Sequence, residues 1–356
     1  MKKLMVALCA VALLAMSACK KESPTVDNPS GGNGNGNGQP EQPEQPEQID
    51  GEGIFCPAQK IETIAVDGQT NETWMWVSDK LTAIYQHTAD GNMVEYSTFE
   101  YNGQRVTSMM SAMENVPYDV FYSYSGDKLS RVRAYSGMIQ VVNIDFGHEG
   151  TDGNINHLDI NVNNALIGWF AQFLGGGWPL QVVKDGAQKF SIDTTTFAAD
   201  LTWQGDNVAQ MVVAGTVAGS VTLGEIRQII DIDSLAGLYA GVVAALSDDL
   251  ELPFQVVMND TMSYSYDGRH NPYHGFLGQL DPTALSASNV TTVSNNRGAN
   301  ITIMVPVPYL GDVPFTIPFP TASATRSYTY TYNSAGYPVT VTDDQGNVTQ
   351  YSYLQQ

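Results

Sequence analysis

Tyr122-Ser123-Tyr124-Ser125-Gly126-Asp127-Lys128-Leu129 is the stretch that decides the fold. Two tyrosines alternate with serines, so both rings fall on one face of an extended strand. Ser-Gly-Asp supplies the turn, because glycine takes the positive φ that a two-residue hairpin loop needs. Lys128-Leu129 begins the return. The same unit recurs at Phe99-Glu-Tyr101-Asn-Gly103-Gln-Arg-Val106 and at Leu201-Thr-Trp203-Gln-Gly205-Asp-Asn-Val208. It returns at Tyr328-Thr-Tyr330-Thr-Tyr332-Asn-Ser-Ala-Gly336-Tyr-Pro-Val339, and Val341 to Tyr353 closes the chain in the same way. Trp74-Met-Trp76-Val-Ser-Asp-Lys-Leu81 and Tyr264-Ser-Tyr266-Asp-Gly268 are weaker copies.

Hairpins in series build an antiparallel meander, and a long meander must curl, close or cover its edges. The fold class expected is therefore mainly β: a curved sheet or barrel-like domain. Three segments break the rhythm. Ala165 to Leu174 is apolar and ends at Gly175-Gly176-Gly177, which reads as a helix over about 166–174. Thr222 with Glu225 has capping-box spacing and opens helical sequence over about 223–246, divided near Asp231 to Ser234 into two helices. Met304 to Pro320 is an apolar hairpin punctuated by prolines, which argues for edge strands or a projecting flap.

The first residues read differently. Lys2 and Lys3 precede an apolar run from Leu4 to Met16, too short to span a bilayer and suited to a secretory signal. Met16-Ser17-Ala18-Cys19 resembles a bacterial lipobox, which implies a signal peptide over 1–18 and a lipid-modified Cys19. Residues 19–53 then form a spacer: Gly and Asn alternate after Gly31, and Pro-Glu-Gln repeats from Pro40. Neither piece can bury apolar surface, and as a flexible coil the spacer spans about 30 Å. A single β-rich domain with its helical insertion is expected over 54–356.

The chain has 16 Lys and Arg against 37 Asp and Glu, a net charge of −21. No basic stripe offsets that field, so nucleic acid is excluded as a partner. Cys9 leaves with the signal and Cys19 takes the lipid, so no intramolecular disulfide is available. The remaining thiol, Cys56, reads as a small buried apolar group.

Tyr266-Asp-Gly-Arg-His-Asn271-Pro272-Tyr273-His-Gly275, then Leu285-Ser286-Ala-Ser-Asn289-Val290-Thr291, then Tyr328 to Pro338 occur in that order. This series resembles a family of Bacteroidetes lipoproteins of unknown function described as having a porin-like fold. The hairpin units also resemble Rhs-type tyrosine–aspartate (YD) repeats. The resemblance implies a β-rich, envelope-anchored outer-membrane lipoprotein and no reaction.

Candidate sites are few. His270 and His274 are four apart, but Asn271-Pro272 between them prevents a helical metal face. Phe146 to Asn154 offers oxygens for Ca²⁺ but lacks EF-hand spacing and reads first as an Asp/Gly turn. There is no nucleophile elbow, phosphate loop or zinc-protease motif, so no catalytic residue, metal or cofactor is assigned. Trp169, Phe170, Trp178 and Phe315 in the apolar inserts are the candidate ligand-binding residues. Tyr328, Tyr330 and Tyr332 share a strand face and read as packed sheet. The leading expectation is a non-enzymatic envelope binding module for a hydrophobic or glycan ligand, or for an outer-membrane protein, held to the membrane by its lipid. A glycan-processing enzyme using paired carboxylates, or a purely structural scaffold, are the alternatives.

Overall fold

The computed structural model describes residues 52–113, 116–150, 153–163, 190–229, 237, 240–278 and 281–355. Sixteen antiparallel strands follow one another around a closed barrel. In chain order they are β1 Ile61–Val66, β2 Gln69–Val77, β3 Lys80–His87, β4 Met93–Asn102, β5 Arg105–Met113, β6 Val116–Ser125, β7 Lys128–Ser136 and β8 Ile139–His148. There follow β9 Ile155–Val162, β10 Phe190–Gln204, β11 Asn207–Thr222, β12 Glu251–His270, β13 Ser288–Val307, β14 Gly311–Tyr332, β15 Pro338–Asp343 and β16 Val348–Tyr353. The short helices are α1 Leu223–Ile229, α2 Ala240–Val243 and α3 Pro282–Leu285. The meander closes where β1 pairs with β16, through Ile64↔Tyr351 and Val66↔Thr349.

The repeated hairpin unit has a structural meaning at one end of the barrel. Seven of the eight even-numbered strands reach that end carrying an aromatic ring whose polar tip donates to a carbonyl at the start of the preceding odd strand. The bonds are Trp76 to Ile61 (2.7 Å), Tyr101 to Leu81 (2.8 Å), Tyr124 to Val106 (2.8 Å) and Trp203 to Ile155 (2.7 Å). Tyr266 to Val208 (2.7 Å), Tyr330 to Val290 (2.6 Å) and Tyr353 to Pro338 (2.7 Å) continue the collar. A bulge just before Trp76, Tyr101, Tyr124, Trp203 and Tyr266 turns each ring inward. Burial removes the phenols from water, and Tyr101 is pushed up to about 12, so it stays a donor. On β8 the corresponding position, just past the bulge and opposite Ile155, is His148. Its Nε2 lies 3.0 Å from the carboxylate of Glu52.

Two segments seal this end. The chain from Glu52 to Gln59 lies across it: Glu52 accepts from the N–H of Leu129, Gly53 O accepts from Val106 N, and Ile54 bridges to Arg105. Among the described residues these contacts include Glu52 and Gly53, the two residues before Ile54. The β12–β13 connection folds into the lumen. Its Phe276 ring lies 5.0 Å from Phe55, 5.1 Å from Trp74 and 5.8 Å from Phe99. Its Leu277 carbonyl accepts from Tyr122 at 3.1 Å. One apolar core then runs through β1 to β12 and includes Ile61, Leu81, Met109, Leu129, Ile144, Ile160 and Met211, all fully buried. The lower barrel is solid.

The wall has unequal height. β10 to β14 run 15 to 22 residues, whereas β1 to β9, β15 and β16 run 6 to 10. The tall part carries a second core, Val217, Val221, Leu252, Phe254, Ile301, Ile303 and Val305, covered by Leu223 and Ile226 of α1 and Val243 of α2. Arg227 ties the helices down, donating to Val243 O at 2.7 Å and pairing with Asp248. Beyond Tyr328 no register pair joins β14 to β15, so among the described residues the upper part of β14 is a sheet edge. Pro314 and Pro318 stand on that edge and present no N–H to it.

The outer wall carries charged pairs beside exposed Met75, Met110 and Phe121. Asp145 pairs with Arg131 at 2.5 Å, and His157 lies 2.6 Å from Asp200 and 3.3 Å from Asp159. Glu95 and Glu100 are also exposed. A transmembrane barrel carries an apolar band outside and a polar lumen. No described helix is long and apolar enough to cross a membrane.

Several expectations need correction or placement. The segment 166–174 lies outside the described residues. The 223–246 stretch gives only α1 and α2 among its described residues. Thr222 does not cap α1, because it is still paired with Glu251 in the sheet. The first helical N–H groups go instead to backbone carbonyls, Leu223 to Leu250 and Gly224 to Asp248. Cys56 is exposed rather than buried, because its neighbour Phe55 takes the inward position.

Replacing Tyr101 by Phe removes one collar bond and is expected to cost about 1 kcal/mol in equilibrium denaturation. Phe276→Ala empties the centre of the floor and is expected to cost about 3–5 kcal/mol. His157 is held protonated by its hydrogen bonds to Asp200 and Asp159, which raise its pKa. That contribution is full below the unfolded value near 6.5 and is lost as pH rises through the higher folded value. A His157→Gln variant should lose this slope in stability measured against pH.

Candidate functional site

Face assignment around the barrel follows from register, because directly opposed residues on antiparallel strands share a face. Starting from Met262 in the lower core, Met258 and Asp260 face the lumen on β12. Their partners Ala299 and Arg297 do so on β13. Arg297 in turn opposes Ala322 on β14, Asn295 opposes Ala324, and Val293 opposes Arg326. Continuing upward, the inner column of β14 carries Ile317 and Phe315, opposite Ile301 and Ile303.

These residues form a polar layer between the two apolar cores. The carboxylate of Asp260 is 6% exposed, and its Oδ2 accepts from Arg297 Nε at 3.1 Å and Asn295 Nδ2 at 3.3 Å. Its Oδ1 is buried without a hydrogen-bond partner. Desolvation raises the Asp260 carboxyl, opposed by the charge of Arg297. On the short side of the barrel the layer continues with Glu72, which is buried and accepts from Trp74 Nε1 at 3.1 Å. Gln86 opposes Glu72 across the strands. Tyr96 reaches both from the β4 bulge, and burial followed by the charge of Glu72 holds its phenol far above the usual range.

Solvent reaches the lumen at this height. Ala322 and Ala324 face inward and are exposed, and inward-facing Val94 is 52% exposed. Below them the floor is closed by Met262, Ala199, Val142 and Val120. The site is thus a recess on the inner face of β13 and β14, walled by the tall sheet and open where the wall drops to β15.

Of the sequence-derived ligand residues, Phe315 lies on this inner column, half-buried against the second core. Trp169, Phe170 and Trp178 lie outside the described residues, between β9 and β10. Asp260, Arg297 and Arg326 were missed. Their signal was a charge standing at an inward position of an alternating strand, as in Met258-Asn-Asp260-Thr-Met262. Trp74, Trp76 and Trp203 are core and collar residues. The Tyr328 to Tyr332 row is packed sheet, with Tyr330 and Tyr332 stacked at 6.0 Å. His270 stacks on Tyr337 at 5.0 Å. Asp145, on β8 just before the segment weighed for Ca²⁺, is held by Arg131 and Asn143. Among the described residues no group of three His, Cys, Asp or Glu is placed to hold a metal.

No family model matches the chain, and no curated protein matches it. Among solved structures it is similar to a porin-like protein from Bacteroides uniformis, at 11% identity and a TM-score of 0.27, over 85% of this chain and 100% of that one. At that score the barrel assignment rests on the strand pairing, not on the likeness.

Arg297→Ala leaves the Asp260 charge buried and unpaired, and it is expected to cost about 3–5 kcal/mol by denaturation. The double variant Asp260→Leu/Arg297→Met should recover most of that loss.

Proposed function

We propose that this chain is a lipid-anchored envelope protein that binds a small ligand in the recess above the barrel floor and catalyses no reaction. The observation that carries this reading is the pair of inward-facing but solvent-exposed positions, Ala322 and Ala324, above a solid floor. A filled scaffold has no use for a lumen that water enters, and a pore needs an open floor. The charged pairs of the outer wall suit a body standing in water, with the membrane reached through the lipid on Cys19 and not through the strands. Glu52 lies at the sealed end, so a tether attached through it leaves the recess facing away from the membrane.

Native mass spectrometry of the protein purified from its own envelope tests the reading. A retained mass released by denaturation is expected, and its absence at every purification condition would sink the ligand claim. Cys19→Ala should move the protein from the membrane to the soluble fraction. Continued membrane attachment of that variant would overturn the anchor.

A further inference from the structure

We propose that the tip of the β13–β14 hairpin, with the outer face beneath it, docks a second protein that offers a pocket for the Tyr309 ring and basic residues around that pocket. This inference does not use the recess. The hairpin turns through Val307-Pro308-Tyr309-Leu310, closed by Leu310 N donating to Val307 O at 3.0 Å. Pro308 takes the second position of the turn and Tyr309 the third, with φ 69°. Glycine is the residue that adopts this third position without a steric cost. The other non-glycine residues with positive φ among those described are Asp67 and Ser78, both small and polar. Tyr309 is 106% exposed and Leu310 60%, so neither side chain adds to the core. A strained turn that holds an aromatic ring in water points to a contact outside the chain.

The outer face below the tip continues the apolar surface. Leu252, Phe254, Ile303 and Val305 point into the second core, so Glu251, Pro253, Met304 and Pro306 between them point outward. On β14, Pro314 opposes Met304 and Asp312 opposes Pro306. Phe254 opposes Ile303, which brings Pro253 and Glu251 level with Met304 and Pro306. A row of Pro253, Met304 and Pro314 therefore lies beneath the tip, and in the row between them Glu251 and Asp312 flank Pro306. Pro253, Pro314, Glu251 and Asp312 are exposed. Arg227 of α1, at the same end, is paired with Asp248. An apolar centre with charge at its margin is the anatomy of a protein interface, and tyrosine is a residue that anchors one. The two carboxylates select a partner of positive charge. They also oppose an anionic bilayer, whose headgroup phosphates would meet them.

The test places a photoreactive benzoylphenylalanine at position 309 of the full chain and irradiates the cells that make it. The control places it at Met138, which is equally exposed at another turn. The expected result is a protein adduct at 309 and none at 138. The captured protein, once purified, should bind the full chain carrying Cys19→Ala more weakly as salt rises. Tyr309→Gly should weaken that binding at least about tenfold and raise the thermal midpoint, because the strain leaves with the ring. Glu251→Gln/Asp312→Asn should remove most of the salt dependence with circular dichroism unchanged. A captured protein that binds Tyr309→Gly as well as the parent would overturn the proposal. Adducts with lipid alone would make the tip a membrane contact and overturn it too, as would no adduct at 309 in cells holding the folded protein. A lowered midpoint for Tyr309→Gly would show that the ring serves the fold, and the argument from strain would fall.

Discussion

The barrel depends on the bond between an aromatic tip on seven of its eight even strands and a carbonyl at the foot of the odd strand before it. A bulge frees one backbone position from the regular ladder, and the ring turns in to occupy the space. Without the phenol or indole donor, seven buried carbonyls at the foot of the barrel would lose a partner in a low-dielectric interior, where such losses are expensive. The same bulges strand N–H groups that other parts of the chain must satisfy. Gly53 and Glu52 serve Val106 and Leu129, and Ser286 Oγ serves Val208. The floor is thus a direct consequence of the collar, because the bulged ends demand partners and the N-terminal segment and the β12–β13 connection provide them.

The Asn271, Ser286 and Asn289 segments of the C-terminal half are parts of the floor. Asn271 pins the connection by donating to Ser286 O at 2.8 Å and by accepting from Tyr273 N at 3.0 Å. Ser286 is fully buried and touches Tyr266 OH at 2.8 Å. Asn289 donates to Asp267 at 3.3 Å. These residues close the lumen. The recess lies on the other side of that closure, built from residues outside those segments.

The strand–turn–strand unit was legible because alternation and glycine turns are local signals. Closure of β1 onto β16 was not, since it joins residues almost 300 apart with no local mark. Strand length was also hidden: Gln210 to Thr222 alternates without interruption, yet only its partners decide how far it rises above its neighbours. The capping signal at Thr222 failed because a strand pairing with Glu251 outweighs one side-chain hydrogen bond. Phe315 was found as an apolar residue in a proline-rich hairpin, whereas Arg297 and Asp260 required knowing which face of their strands looks inward. Which of two neighbours turns inward also decided Cys56, since Phe55 takes the core.

The upper part of β14 is an unfinished sheet edge, held in water beside an apolar core. Such an edge is a template on which a second chain can add a strand, and repetition of that step makes a fibre. Pro314 and Pro318 remove donors from the edge and interrupt the ladder any incoming strand would form. Copies of the protein lying edge beside edge would therefore not knit into continuous sheets.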